Sequence, residues 1–333
     1  MRPVIAILLG DPTGIGPEIV AKIFATGEIK AWCRPFIIGD GRILEMGKKI
    51  AEMDFPIAEI DDPSHADWDG PTPVIDLKHL DPAGITIGQI SADAGRATGE
   101  MLVHAMRLCK SGQIAGFVFA PYHKAAMEYG GYPMLEKGAG LFSRCLDWHK
   151  PIGEMNVVGN LWTSRVTSHI PLKQVSENLS IGRITGAVRL AHATLQRAGF
   201  ESPRLTVAGL NPHCGEDGLC GTEENEIIRP AVDEARSQGV NVCGPFSADT
   251  LFVDAVRGRF DGIITMYHDQ GQIALKLMNF ETAVTVLAGL PWAITTPAHG
   301  TAHDIAGKGI ANPEAMRQAV VIASKIAGWR NVD

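Results

Sequence analysis

The stretch Val4-Ile5-Ala6-Ile7-Leu8-Leu9-Gly10-Asp11-Pro12-Thr13-Gly14-Ile15-Gly16-Pro17-Glu18 decides how the rest of the chain is read. Six apolar residues in succession have the length of a buried strand, and Gly10-Asp11-Pro12 ends it. Pro17 suits a first helical position and Glu18 its first turn. Ile19, Val20, Ile23 and Phe24 then recur at helical spacing. Strand, glycine turn and helix follow one another directly, and the same alternation continues downstream. Residues 36–39 read as a second strand. Residues 54–83, rich in Pro and Asp, read as loop and edge strand. Ser91 caps a helix over 91–110 whose apolar face is Ala94, Ala97, Met101, Ala105 and Leu108. Residues 115–120 make the next strand. Further helices are expected over 184–198, 223–237 (kinked by Pro230), 248–257 and 313–328. This alternation predicts a largely parallel sheet with helices on its faces, an α/β fold.

At 333 residues the chain is too long for one small module and suits two lobes. Hydrophobic residues make up 45% and charged residues 20%, enough for a sizeable core. The net charge of −7, with no block of Lys or Arg, argues against nucleic acid as a partner. An anionic substrate would need a local basic site. The six cysteines form no Cys-x-x-Cys pair, as expected of reduced thiols in the cytoplasm. No apolar run approaches the roughly 18–20 residues of a membrane span, and the apolar start is too short for a secretory signal.

Three apolar runs each deliver a histidine at or just past their end. Residues 165–168 lead into His169, 205–210 into Asn211-Pro212-His213, and 262–267 into His268-Asp269-Gln270-Gly271. In open α/β sheets ligands bind outside the carboxyl ends of the strands. Three imidazoles there make a candidate divalent-metal site, with Asp249 and Asp269 as further ligands or orienting acceptors. The competing reading is three capped loop residues. No His-x-x-x-His pair decides between them. Lys276 sits on an apolar stretch, either as a buried acid, base or anion anchor, or as a surface lysine laid along its stem. Pro297-Ala298-His299-Gly300-Thr301-Ala302 follows a strand-like run and could set backbone N–H groups against a phosphate, or be a plain glycine turn. Gly14-Ile15-Gly16 lacks the third glycine of a dinucleotide fingerprint.

Several of these motifs together resemble one family. They are Gly10-Asp11-Pro12-x-Gly14-Ile15-Gly16-Pro17-Glu18, Ala120-Pro121-x-x-Lys124, Thr167-x-His169-x-Pro171-Leu172, Gly209-Leu210-Asn211-Pro212-His213, Gly244-Pro245-x-x-Ala248-Asp249-Thr250, Met266-Tyr267-His268-Asp269-Gln270-Gly271 and His299-Gly300-Thr301-Ala302. They resemble the 4-hydroxythreonine-4-phosphate dehydrogenase family of vitamin B6 biosynthesis, from end to end and in the same order.

The resemblance implies a two-lobed fold like the isocitrate and isopropylmalate dehydrogenases, with the active site in the interlobe cleft. One lobe would be 1–125 with 290–333, the other 126–289 with dimer contacts. It implies an NAD- or NADP-dependent homodimer that oxidises a secondary alcohol of a hydroxy acid, with decarboxylation. His169, His213 and His268 would hold the divalent metal (zinc, magnesium, cobalt, manganese or nickel), one of them supplied by the partner subunit. Lys276 and Asp249 would be the catalytic candidates. Lys137, Lys276 and Thr285 would touch substrate, and His299, Gly300 and Thr301 the cofactor.

The chain departs from the family pattern at four substrate positions. Glu136-Lys137-Gly138-Ala139 stands where the family has Gly-His-Thr-Glu, Thr285 in place of an Asn, Ile294 in place of an Arg, and Ala298 in place of an acid. Ile cannot replace a bidentate guanidinium clamp, though Lys137 restores one charge. 4-Phosphooxy-threonine is therefore expected to be a poor substrate. A catabolic relative acting on a sugar-acid phosphate, or on a cis-dihydrodiol carboxylate such as terephthalate dihydrodiol, is the alternative. An inactive metal-binding relative is a third reading.

Overall fold

The computed structural model describes residues 2–133 and 140–330. The chain forms two compact units, Met1–Ile152 with Leu290–Asp333, and Gly153–Gly289. Residues 126–152, assigned to the second lobe from sequence, group here with the first unit. In the first unit the strands are β1 (Val4–Leu8), β2 (Arg34–Gly39), β3 (Ile57–Glu59), β4 (Thr72–Asp76) and β5 (Gly116–Phe119). Its helices to that point are α1 (Gly16–Ala25), α2 (Gly41–Ala51), α3 (Ala92–Lys110), α4 (Lys124–Tyr129) and α5 (Gly140–Leu146). The second unit contributes β6 (Gly153–Val158), β7 (Leu161–Arg165), β8 (Leu205–Ala208), β9 (Val242–Phe246), β10 (Gly262–Thr265) and β11 (Val284–Ala288). With them come α6 (Ile181–Arg197), α7 (Arg229–Ser237), α8 (Ala248–Val256) and α9 (His268–Asn279). The chain then returns to the first unit with β12 (Ala293–Pro297) and α10 (Glu314–Ile326). The two-lobed α/β class read from the sequence is the one observed.

In the first unit the strands run parallel in the order β3-β4-β2-β1-β5-β12. β1 is central and fully covered beyond its first residue, which explains its unbroken apolar sequence. The turn after it is built for close approach. A Cβ on Gly16 would sit 2.2 Å from the Leu9 carbonyl oxygen, so only glycine lets α1 start there. Asp11 is buried, and its Oδ1 accepts from the Thr13 amide at 2.9 Å and the Thr13 hydroxyl at 2.7 Å. Ser91 caps α3 as expected, accepting from the Ala94 amide.

In the second unit the order is β11-β6-β7-β10-β8-β9. β6 runs against both β11 and β7, and the rest are parallel. α6 packs on this sheet and so does α9. α9 lies close because Gly271 faces the strands. A Cβ there would come within 3.2 Å of Thr265 Oγ1.

One local expectation is corrected. The strand before His169 is Leu161–Arg165, upstream of the predicted 165–168, because the successive amides of Val166 and Thr167 both bond to the neighbouring segment, at the Thr265 and Met266 carbonyls, which ends the alternating ladder. The helix expected over 223–237 is present, and its irregularity falls beside Pro230: a π turn over Glu224–Ile228 passes directly into α7, with Pro230 in the first turn of α7.

Candidate active site of the second unit

β7 and β10 are adjacent and parallel, with Thr265 opposite Arg165. The segments leaving them stay side by side. The Thr167 amide donates to the Met266 carbonyl at 3.1 Å and the Thr167 hydroxyl to the same oxygen at 2.8 Å. This brings His169 and His268 together, their ring centroids 5.8 Å apart with planes tilted by 40°. His268 is the first residue of α9, and its Nδ1 lies 2.7 Å from Asp269 Oδ1. An ionised carboxylate can only accept, so Nδ1 carries the proton and the Nε2 lone pair is left to bind a metal. A carboxylate behind a ligating imidazole is the usual device for fixing tautomer and ring direction.

His213 follows β8 on a differently built loop. Residues 213–217 all take positive φ, from 44° to 78°, and four of the five are not glycine. Such backbone costs on the order of 1–3 kcal/mol per residue and persists only where the surroundings hold it. Glu224, buried, anchors the entry to this loop. Its Oε1 accepts from the Leu210 amide at 2.8 Å and the Asn211 amide at 2.7 Å, and its Oε2 from the Asn211 side-chain amide at 2.9 Å. Gln270 ties this loop to the other one. Its Oε1 accepts from the Met266 amide and its Nε2 donates to the Gly209 carbonyl, both at 2.7 Å. The exits of β8 and β10 are thus fixed to each other by one side chain.

Asp249, at the start of α8, is exposed and accepts from the Ser247 hydroxyl at 2.6 Å. That bond, with a smaller contribution from nearby His213, holds its carboxyl below the usual carboxylate range. The structure therefore pairs His169 with His268 and sets His213 in the field of Asp249. Among the described residues, no three His, Cys, Asp or Glu side chains of one chain converge as a metal cluster.

Lys276 lies two turns along α9 from His268, exposed, with Nζ 5.6 Å from the centre of the Phe280 ring. Thr285 on β11 is half-buried and opposite Asn156 on β6. Lys137, with the rest of 134–139, lies outside the described residues. The three cofactor candidates belong to the first unit. Thr301 is buried, and its carbonyl accepts from the Ile15 amide at 3.0 Å. His299 is held below the ordinary imidazole range by burial, its bond to the Gly300 carbonyl acting in the opposite direction.

Glu224, Gln270, Asn156 and Arg165 went unread in the sequence. Glu224 and Gln270 bond mainly to main-chain groups, which leave no side-chain pattern. For Asn156 a weak signal existed: Glu154 and Asn156 alternate with Met155 and Val157, the period of a strand with one polar face.

A two-unit α/β chain with imidazoles at the carboxyl ends of neighbouring strands belongs to the class of enzymes that work on small ligands at sheet edges. Residues 31–323 match the family described as pyridoxal phosphate biosynthetic protein PdxA, and the chain belongs to that family. It is 40% identical over 331 residues to D-threonate 4-phosphate dehydrogenase of Cupriavidus necator, covering 98% of each chain. A solved 4-hydroxythreonine-4-phosphate dehydrogenase from Burkholderia phymatum is 37% identical, with a TM-score of 0.83 and 98% of each chain covered. The corresponding Klebsiella pneumoniae structure is 35% identical with a TM-score of 0.86, again over 98% of each chain. The chain is a dehydrogenase of this family.

Proposed function

We propose that this dehydrogenase oxidises a secondary alcohol of a phosphorylated hydroxy acid, with NAD or NADP as acceptor, and that the resulting β-keto acid loses CO2. The observation that carries the reading is the juxtaposition of His169 and His268 at the ends of adjacent parallel strands, with Lys276 on the helix that His268 begins. The donor set suits a divalent transition metal. Neutral imidazoles favour zinc, cobalt or nickel over magnesium, which prefers oxygen ligands. His169 and His268 would hold the ion from one subunit and His213 from a second copy, making a homodimer with a shared metal site. When bound, such an ion supplies the Lewis acidity that lowers the pKa of a substrate hydroxyl. The nicotinamide supplies the hydride acceptor.

The chain's own residues do the rest. Asp269 keeps the His268 ring turned with Nε2 outward. Lys276 holds the substrate carboxylate or returns a proton to the carbon that loses CO2. Asp249, kept ionised, faces the His213 side. Gly300 and Thr301 line the nicotinamide site, with His299 beside them. The free cysteines fit a reducing, cytoplasmic setting.

Within that class we favour a sugar-acid phosphate such as D-threonate 4-phosphate, the substrate named for the Cupriavidus relative, over 4-phosphooxy-threonine. The support is that likeness, 40% identity over 331 residues; Ile294 and Thr285, which stand where the family pattern has Arg and Asn, mark a changed substrate site and would weaken both compounds through their shared carboxylate and phosphate. The test is kcat/KM on both compounds with saturating NAD or NADP and zinc, cobalt or nickel. D-threonate 4-phosphate should lead by at least about tenfold. A value of about 10⁴ M⁻¹s⁻¹ or more on 4-phosphooxy-threonine would refute the preference. No turnover of either compound with any metal would refute the function.

A further inference from the structure

The sheet face beneath α9 is polar, and its side chains form one connected set. Asn156 on β6 is almost wholly buried and stands opposite Thr285 on one side and Thr163 on the other. Arg165, at the end of β7, donates from one terminal nitrogen to Asn156 Oδ1 at 2.8 Å and from Nε to Ser168 Oγ at 2.9 Å. Its other terminal nitrogen pairs with Glu154. Gln272 on α9 donates to the same Asn156 oxygen. Asn156 Nδ2 donates to Thr285 Oγ1 at 2.9 Å.

The direction of this set follows from chemistry. Arginine has donors only, so the Asn156 oxygen must face Arg165 and its NH2 must face Thr285. The Thr285 oxygen therefore accepts, and its own proton points away from the network. Among the described residues the Thr285 hydroxyl donates to no acceptor. His268, Gln272 and Lys276 are spaced by four residues, so they share one face of α9, each about 6 Å along the axis from the next. Gln272, between the two candidate site residues, reaches the network that ends at Thr285.

We propose that Asn156 is a positioning residue of the substrate site: held by Arg165 and Gln272, it sets the Thr285 hydroxyl as a donor to an anionic oxygen of the substrate. Arg165 also holds Ser168, the neighbour of His169, so one guanidinium steadies both the imidazole turn and the substrate donor. Arg165 itself, engaged on every nitrogen, is not the anion clamp. The acceptor is a carboxylate or phosphate oxygen. The assignment rests on the substrate reading above.

The experiment compares Asn156→Asp, Asn156→Ala, Thr285→Val, Thr285→Ser and the double variant Asn156→Asp with Thr285→Val. Kinetics use D-threonate 4-phosphate. Calorimetric titrations without cofactor use inorganic phosphate and unphosphorylated D-threonate separately. Thr285→Val should raise KM about tenfold with kcat within about twofold, while Thr285→Ser stays near the parent. The carboxylate introduced by Asn156→Asp would accept the Thr285 proton and turn it inward, so this variant should also raise KM about tenfold. Asn156→Ala leaves the hydroxyl free to donate outward and should raise KM less than Asn156→Asp does. A purely structural role predicts the reverse order, because alanine removes the acceptor of both Arg165 and Gln272. The double variant should be no worse than Thr285→Val alone, whereas charge repulsion from the introduced carboxylate would add to it.

Additive effects, the reversed order, or an unchanged KM in Thr285→Val would each overturn the proposal. If Asn156→Asp does not fold, the Val and Ser pair at Thr285 still decides whether the hydroxyl is a donor. Weaker binding confined to phosphate, or to D-threonate, identifies the acceptor, and unchanged binding of both overturns the proposal. A parent with no turnover refutes the function read above, and the titrations then still judge Asn156.

Discussion

Replacing Glu224 tests whether a buried carboxylate holds the His213 loop in its left-handed course. Three bonds end on it, at 2.7, 2.8 and 2.9 Å, from two main-chain amides and the Asn211 side chain. Glu224→Leu leaves all three donors without that partner. A buried donor without a partner costs about 1–3 kcal/mol. The Asn211 side chain keeps its second bond, to Glu223 at 2.7 Å, and the two amides are partly buried, so the low end for two donors, about 2 kcal/mol, is expected. Glu224→Gln keeps an oxygen for the amides but turns a donor toward the Asn211 NH2, losing one charged bond of about 1.5–3 kcal/mol. Urea unfolding followed by circular dichroism measures both. A second readout is zinc affinity by competition with a chromophoric chelator. Glu224→Gln should weaken zinc binding, because Asn211, which Glu224 holds, leads directly into the His213 turn. A Glu224→Leu protein within about 0.5 kcal/mol of the parent, the range of an inconsequential surface change, would show that the loop does not depend on this carboxylate.

Other outcomes follow from single residues. Burial alone would raise the Asp40 carboxyl, but the Arg42 side chain and the Leu80 and Arg42 amides outweigh it and hold the pKa at about 2, against 3.8 for the free group. The folded form is therefore stabilised above pH 3.8 by about 2 kcal/mol, lost as pH falls toward 2; Asp40→Asn should lose that amount at pH 7 and show a shallower acid transition. His268→Ala should leave the melting temperature of the metal-free protein nearly unchanged, since the residue is partly exposed, yet lower zinc content sharply; full zinc retention would refute its role as a ligand. For the nicotinamide site Gly300→Trp is a better probe than Thr301→Trp. A Cβ on Gly300 meets nothing within 4 Å, whereas Thr301 is buried against Gly14. Gly300→Trp should fold normally and bind NADH at least about tenfold more weakly; equal affinity would remove Gly300 from that site.

The sequence by itself determined the elements whose signals are local. The buried β1, the Pro17 start of α1 and the Ser91 cap of α3 each rest on a few adjacent residues, and each was found where expected. The three histidines were legible because strand ends and imidazoles both leave a mark in the chain. The position of Lys276 on a helix, the reversed β6 and the π turn before α7 were not legible, because short apolar runs do not separate strand from helix.

Only the tertiary structure decided which of these residues meet. It paired His169 with His268 because β7 and β10, distant in sequence, lie side by side. It left His213 on a separate loop near Asp249. It also supplied the residues that hold the site: Glu224 and Gln270 gripping main-chain amides and carbonyls, and Asn156 fixed by Arg165. The reason is physical. Periodicity records which face of an element is buried, but a hydrogen bond between elements depends on strand order and register, which arise only when non-local segments pack.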